Sequence, residues 1–292
     1  MQKLALFYNP VSGHAAFKNK LDMMVEAFQR RNIPLLPYRT KAGGNREFLE
    51  FVRELRPDGV LAAGGDGTVH EAANLIVRGG LDLPLGIIGS GTSNDFVTYL
   101  GITQDLEAYF DRIAAMHTRR CDLGKIGDEY FINVASAGML TSIAHEVAPR
   151  LKNSLGKLAY YLKGIGELPK IRALPLTVVA DDVQQELEAF LFVIINSPAV
   201  ASMKHVAEGV QVDDGKLDFL AIRKCNPVQL MAIATELASG KSVSGKEAVV
   251  HIQAKKFQVS SPVNLESDLD GEAGPPLPLK IETAAQAIEI FC

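Results

Sequence analysis

Cysteine is scarce in this chain and its few copies are scattered: Cys121, Cys225 and Cys292 are the three in 292 residues. No pairing pattern or metal-ligand spacing connects them, which excludes a disulfide framework and a zinc site. A reducing interior fits, with Cys121 and Cys225 as core fillers and Cys292 as a terminal thiol. Long apolar runs are also missing. With no stretch of 18 apolar residues, no membrane-spanning helix is expected. The short apolar run Leu4 to Tyr8, stopped by Asn9-Pro10, reads as a first strand and not as a signal-peptide core. Positive charge is not in excess: 30 basic residues face 34 acidic ones for a net charge of −4, which removes any global pull toward nucleic acid. The Walker loop G-x-x-x-x-G-K-[ST] does not occur, nor does G-x-G-x-x-G after the first strand. Internal repeats and low-complexity tracts are absent as well. A cytoplasmic location is expected, with contact at a membrane surface left open.

What is present is ordinary globular material, 47% hydrophobic and 22% charged, long enough for one large domain or two ordinary ones. Strand and helix patterns alternate through the first third. "KLALFY" reads as a strand, and Leu21, Met24, Val25 and Phe28 then fall on one helical face. "PLLPYRT" is a second strand, which Pro34 and Pro37 push toward a sheet edge. Phe48, Phe51, Val52 and Leu55 repeat the helical spacing, "DGVLAAGG" and "LPLGIIG" are further strands, and helices follow each of them. Such alternation predicts a parallel sheet with helices on both faces, whose ligands gather at the carboxyl ends of the strands.

Near residues 118–124 the pattern changes. A hairpin around Gly127-Asp128, a strand pair around Asp181-Asp182, and the runs "GKLDFLAIR", "VVHIQAKKFQVSS", "PVNLESDLDGE" and "LPLKIETAAQAIEIF" suggest antiparallel strands. Helices are expected near 155–168 and 227–239. The fold class is therefore α/β plus β: a nucleotide-binding parallel-sheet domain over 1–120, then an antiparallel β-sandwich domain over 121–292.

The loops on the carboxyl edge carry the chemistry. In Gly64-Gly65-Asp66-Gly67-Thr68 the glycines let backbone approach an anion, and the following helix directs its first amides there. Thr68 stands where an N-cap belongs and Glu71 three residues later completes a capping box, so a plain capped turn accounts for the stretch equally well. A helix N-terminus contributes at most about 2 kcal/mol to an anion, so a triphosphate needs a metal too, and Asp66 is a suitable ligand. Three more loops share the edge: "NPVSGH" (Asn9 to His14), Thr40, and "GTSNDF" (Gly91 to Phe96). Together they favour a nucleotide pocket.

Asn9-Pro10 with Ser12-Gly13, Gly64 to Thr68 with Glu71, and Gly91-Thr92 with Asn94-Asp95-Phe96 resemble the diacylglycerol kinase catalytic-domain family, bacterial lipid kinases related to NAD kinase and sphingosine kinase. The similarity continues through "LGKLAYYLKGIGEL", "VDDGKLD" and "DLDGE". It implies binding of ATP and Mg2+ and phosphorylation of a lipid hydroxyl, most plausibly that of diacylglycerol, at a membrane surface, with a homodimer left open. Asn9, Pro10, Ser12, Gly13, Thr40, Gly64 to Thr68, Glu71, Thr92, Asn94 and Asp95 match its nucleotide segments. Asp214, with the carbonyls of Gln211 and Lys216, matches a structural magnesium site, and Asp66 and Asp95 can organise the nucleotide's magnesium. Asp270 and Glu272 match the acidic pair from which the general base is drawn; Asp270 is slightly favoured over Glu272. Each Asp-Gly dipeptide is equally consistent with a β-turn.

Two departures from the family pattern bear on function. His14 stands where a lysine is common, and "SPAVASMKHVAEG" (197–209) replaces a glycine-rich loop on the acceptor side. Between Arg150 and Arg172 six basic residues meet one acid, Glu167, and Leu158, Tyr161, Leu162 and Ile165 share a helical face, which suits a helix lying on anionic lipid or one packed between domains. Alternatives are an NAD kinase, a kinase for a sphingoid or other lipid alcohol, and a non-catalytic lipid or nucleotide sensor.

Overall fold

All but the last residue of β1 (Leu4–Tyr8) are fully buried, as a strand must be when helices cover both faces of its sheet. The computed structural model describes the chain except for residues 12–16, 90–94, 103–104, 139–171, 201–202 and 204, and the side chains of 17–20, 95, 98 and 138. The helix expected near 155–168, nearly all of the basic stretch 150–172, and His14 lie outside the described residues. Contacts divide the chain into two units, Met1–Cys121 with Gln286–Cys292, and Asp122–Ala285. The last residues thus belong with the N-terminal unit, although 121–292 is expected from sequence as one domain.

In the first unit the parallel order is β2 (Leu35–Arg39), β1, β3 (Gly59–Gly64), β4 (Leu85–Gly89). Leu4 lies level with Leu35 on one side and Gly59 on the other. The helices are α1 (Phe17–Arg30), α2 (Glu47–Leu55), α3 (Asp66–Arg78), α4 (Asp95–Tyr99) and α5 (Leu106–Ala114). Alternation along the strands sorts them by face. Leu4, Leu6, Leu61 and Ala63 pack against Met24 and Phe28 of α1 and Phe110 of α5. Phe7, on the opposite face, meets Tyr38 at 5.9 Å and Phe48 of α2 at 4.8 Å between ring centres. Val25, expected on the apolar face of α1, is instead 43% exposed. Among the described strands β2 pairs only with β1, so its Pro37 sits on an edge strand, where a missing N–H costs no ladder bond.

The final strand, β15 (Leu279–Phe291), joins this sheet through Ile290 beside Leu85. Tyr109 of α5 completes the junction. Its hydroxyl accepts the Ile87 N–H at 3.1 Å and donates to the Phe291 carbonyl at 3.2 Å. Burial pushes that hydroxyl's pKa well above its usual value, so it stays protonated and able to donate.

The second unit is antiparallel. β5 (Thr118–Ile126) and β6 (Glu129–Phe131) form the hairpin around Gly127, whose φ is +58°. β7 (Val134–Gly138), β8 (Leu174–Ala180), β9 (Val183–Ile195), β10 (Leu217–Arg223), β11 (Val249–Ala254), β12 (Lys256–Ser260), β13 (Glu266–Leu269) and β14 (Glu272–Pro276) follow. Long β9 is shared between two layers. Its first half pairs with β8, which continues to β12 and β15; its second half pairs with β10 and β7. A register shift opposite Ile222/Arg223 separates the halves. It flips the alternation, so that Leu187 and Ala189 before it, and Phe192 and Ile194 after it, face the same core. A bulge of this kind lets one strand turn a sandwich corner. The outer face of the β9–β10 layer is covered by α6 (Pro227–Ala238), started by an Asn226–Gln229 capping box, and by Val200, Met203, Val206, Ala207 and Val210. Cys121 is buried as expected, whereas Cys225 is only half-buried. No described helix is long and apolar enough to cross a membrane.

Candidate active site

Three loops converge at the carboxyl edge of the first unit's sheet because backbone bonds extend the strands by one rung. The Asn9 N–H donates to the Ala63 carbonyl at 3.0 Å, and the Thr40 N–H to the Tyr8 carbonyl at 2.9 Å. Asn9 Oδ1 accepts the Val11 N–H at 3.0 Å, closing an Asx-turn over Pro10. Thr40 is 8% exposed. β3 delivers Gly64, Gly65, Asp66 and Gly67 to the same edge, and β4 ends there at Gly89. Ser12, Gly13, Thr92 and Asn94 lie outside the described residues; Asp95 opens α4, but its side chain is not described.

The turn into α3 differs from the capping box expected from Thr68 and Glu71. The N-cap is Gly65, in extended backbone (φ −82°, ψ −175°), with no side-chain cap, and the helix begins at Asp66. Thr68 therefore sits inside the first turn, folded under the end of β3. A Cβ on Gly64 would collide with the Thr68 side chain, lying 2.6 Å from its Cβ, so glycine is required by close approach. Glu71 does not turn back to cap the helix. Both its carboxylate oxygens accept from Asn45 Nδ2, at 2.9 and 3.0 Å. Asn45 is 1% exposed, and its Oδ1 takes the Lys41 N–H at 3.0 Å. This single amide ties the loop after Thr40 to the start of α3. The start of α3, with the acidic Asp66 in its first turn, is thus tied to the loop after Thr40.

In the second unit Asp270 and Gly271 have φ of +52° and +91°, and Leu269 pairs with Glu272. This is a two-residue hairpin of the kind Asp-Gly favours. Glu272 is exposed, and no described residue engages its carboxylate. Asp270 is engaged on both oxygens: Oδ2 accepts the Ile132 N–H at 2.7 Å, and Oδ1 accepts the N–H groups of Asn133 and Val134 at 2.9 and 3.0 Å. Asp268, 6% exposed, accepts the Gly271 N–H at 2.8 Å and holds the hairpin from within.

The Asp214 turn is a second acidic centre of this unit. Asp214 Oδ1 accepts the Lys216 N–H at 3.0 Å and Oδ2 accepts from Gln253 Nε2 at 3.1 Å. Burial pushes the Asp214 carboxyl above its usual range. The Lys216 amide opposes the rise, while the charges of Asp218 and Asp122 add to it. Asp122 is fully buried and accepts the Gly215 N–H at 2.6 Å. Asp218 bonds His251 Nε2 at 2.6 Å through Oδ1, and its Oδ2 is buried without a hydrogen-bond partner. Asn196 links the two centres, donating from Nδ2 to the carbonyls of Asp122 at 2.7 Å and Ile132 at 2.8 Å.

Asn45, Asp122, Asn133 and Asn196 belong to no sequence motif, because each acts across at least 26 residues. For Asp122, Asn133 and Asn196 the one local sign is a polar side chain beside apolar neighbours.

Comparison with known proteins gives consistent results. Residues 3–126 match the pattern described as the diacylglycerol kinase catalytic domain, and residues 133–292 match the YegS C-terminal NAD kinase beta sandwich-like domain. A Staphylococcus epidermidis protein named diacylglycerol kinase is 34% identical over 293 residues, covering 100% of this chain and 92% of its own. A Bacillus subtilis protein of the same name is 31% identical over 280 residues, covering 95% of this chain and 92% of its own. Two solved chains from Bacillus anthracis share the fold. One has a TM-score of 0.83 at 24% identity over 99% of this chain and 94% of that one. The other, named a diacylglycerol kinase, has a TM-score of 0.76 at 23% identity over 99% and 96%.

Proposed function

We propose, since this chain belongs to the diacylglycerol kinase catalytic-domain family, that it transfers the γ-phosphoryl group of ATP, with Mg2+, to a lipid hydroxyl, with diacylglycerol as the acceptor and phosphatidic acid as the product. Support comes chiefly from the gathering of Asn9, Thr40 and the Gly64–Glu71 turn at one sheet edge, held by the Asn45–Glu71 bond. Small residues and first-turn amides suit phosphate oxygens, and Thr40 and Asn9 suit hydroxyl and ring positions of a nucleotide. Ser12, Gly13, Thr92, Asn94 and Asp95 complete that set in this proposal.

Phosphoryl transfer asks a protein mainly for position and charge. When bound, Mg2+ neutralises phosphate charge, and Asp66 with Asp95 would organise it. A second ion would be held by Asp214 and the carbonyls of Gln211 and Lys216. One carboxylate and two carbonyls would leave half of an octahedron to water, a common arrangement for Mg2+. No three His, Cys, Asp or Glu side chains converge on a metal position among the described residues, so such a site relies on backbone and water. The raised Asp214 carboxyl and the orphaned Asp218 Oδ2 mark a loop whose negative charge a cation would relieve. The acidic pair Asp270 and Glu272 supplies the carboxylate that accepts the hydroxyl proton. The enzyme works from the aqueous side, meeting its lipid at a membrane surface.

The test offers labelled ATP with fractionated lipid extract and, in parallel, NAD. A labelled phosphatidic acid is the expected product. Labelled NADP alone would establish an NAD kinase, and nucleotide binding without turnover would establish a sensor.

A further inference from the structure

Resting on the nucleotide site proposed above, we propose that Lys41 binds the polyphosphate and that Glu47 competes with the nucleotide for its ammonium group. The stretches at the carboxyl ends of β1, β2, β3 and β4 are residues 9–16, 40–46, 64–70 and 89–95. Lys41 and Arg46 are their only lysine or arginine residues. Small side chains and backbone amides supply hydrogen bonds along this edge, but no full positive charge. A triphosphate stays anionic after it has bound one Mg2+, so a lysine or arginine has work to do here.

The geometry selects Lys41. The buried Asn45 carboxamide brackets its peptide, with Oδ1 accepting the Lys41 N–H at 3.0 Å and Nδ2 donating to the Lys41 carbonyl at 3.2 Å. Gly43 and Gly44, at φ +89° and +103°, bend the loop so that Asn45 can return to Lys41. The same Nδ2 holds Glu71 of α3 at 2.9 and 3.0 Å. Helical side chains lean toward the N-terminus, so Glu71 leads back toward the turn that Asp66 opens. The Lys41 backbone is therefore one buried side chain away from α3, and its charge rides on a flexible stem. Arg46 has already turned into the start of α2, at φ −57° and ψ −31°.

Lys41 Nζ lies 2.6 Å from Glu47 Oε1, with the two side chains 57% and 59% exposed. Their hydrogen bond holds the Lys41 ammonium above its ordinary pKa and the Glu47 carboxyl below its own, so both are charged at neutral pH. Burial raises the pKa of the Tyr38 hydroxyl, the charges of Glu47 and Glu71 add to the rise, and that of Lys41 opposes it. The ion pair and the Glu71 end of the Asn45 tie thus surround one ring. An exposed pair of this kind is held weakly, and phosphate oxygens can take the ammonium from a single carboxylate.

Calorimetric titration of the full chain with Mg2+-ATP, and separately with inorganic tripolyphosphate, tests this exchange. Lys41→Met keeps the apolar stem and is expected to weaken both ligands about tenfold. Glu47→Gln frees the ammonium and is expected to tighten both about threefold. The double variant should match Lys41→Met, Arg46→Met should match wild type, and added salt should narrow the gap between wild type and Lys41→Met. Wild-type affinity in Lys41→Met overturns the assignment. So does a loss in Glu47→Gln equal to that in Lys41→Met, because the pair would then only brace the loop. A wild type that binds neither ligand overturns it as well, whatever the labelled-product test returns. If Lys41→Met weakens tripolyphosphate while the wild type phosphorylates no lipid alcohol, the lipid-kinase function fails and the role of Lys41 stands.

Discussion

Replacing Asn45 by aspartate changes one side-chain atom group and should convert a clamp into a repulsive contact. Asn45 is almost completely buried, and its amide nitrogen lies 2.9 Å from one Glu71 oxygen and 3.0 Å from the other. With both carboxylates ionised at that distance, the repulsion is about 6 kcal/mol at an effective dielectric of about 20. Protonating the introduced carboxyl is cheaper. Holding a proton at pH 7 on a group whose ordinary pKa is about 3.9 costs about 4 kcal/mol, at about 1.4 kcal/mol per pH unit. The smaller number wins, so the variant keeps the proton, and the introduced O–H can still donate to Glu71. The native state then binds more protons than the unfolded chain, so stability falls as pH rises. The deficit against wild type is expected to be about 4 kcal/mol at pH 7 and about 1.5 kcal/mol at pH 5.

Urea unfolding of Asn45→Asp and wild type, followed by far-UV circular dichroism from pH 5 to pH 8, measures that slope. Asn45→Ala is the control. It loses the bonds to Glu71 and Lys41 without adding charge, and its deficit should be nearly flat in pH. A flat difference for Asn45→Asp, or an equal slope in the alanine variant, would refute the inference that Asn45 and Glu71 are bonded as a pair. Binding of an ATP analogue should weaken along with stability in both variants, because the loop after Thr40 and the first turn of α3 lose their tie.

Tyr109→Phe leaves the Ile87 N–H and the Phe291 carbonyl buried without partners. It is expected to cost about 2–4 kcal/mol in a thermal or denaturant melt, with turnover at permissive temperature unchanged. Gly64→Ala drives a methyl group into Thr68, which must move the first turn of α3. Nucleotide affinity measured by calorimetry should fall about tenfold or more, the equivalent of about 1.4 kcal/mol, and an unchanged affinity would separate that turn from the nucleotide. Millimolar Mg2+ should raise the wild-type melting temperature without nucleotide, and Asp214→Asn should lose that increment. Equal increments in both proteins would remove the cation from the Asp214 turn.

The parts of this molecule that are legible in its sequence are those whose cause is local. The short apolar runs "LALFY" and "GVLAAG", alternating with segments of 3.6-residue period, announce a parallel sheet, because side-chain direction is set by backbone geometry within a few residues. The Asp270-Gly271 hairpin is legible for the same reason, as two positive φ angles favour that dipeptide. Glu71 shows the limit. Its spacing from Thr68 matches a capping box, yet Gly65 starts the helix three residues before that pattern places it, and an amide 26 residues away claims the carboxylate. Strand β15 is legible as a strand, but not as one that leaves the sandwich to end beside Leu85. The bulge in β9 likewise depends on which partners flank each half. Asp270 is the most instructive case, because its turn is written locally while the three amides filling its carboxylate come from 136 to 138 residues away. A carboxylate's role in proton transfer depends on which of its lone pairs are already taken, and that is settled by packing. The motif therefore marks the acidic pair, and only the folded chain shows that three amides hold Asp270 while Glu272 is exposed.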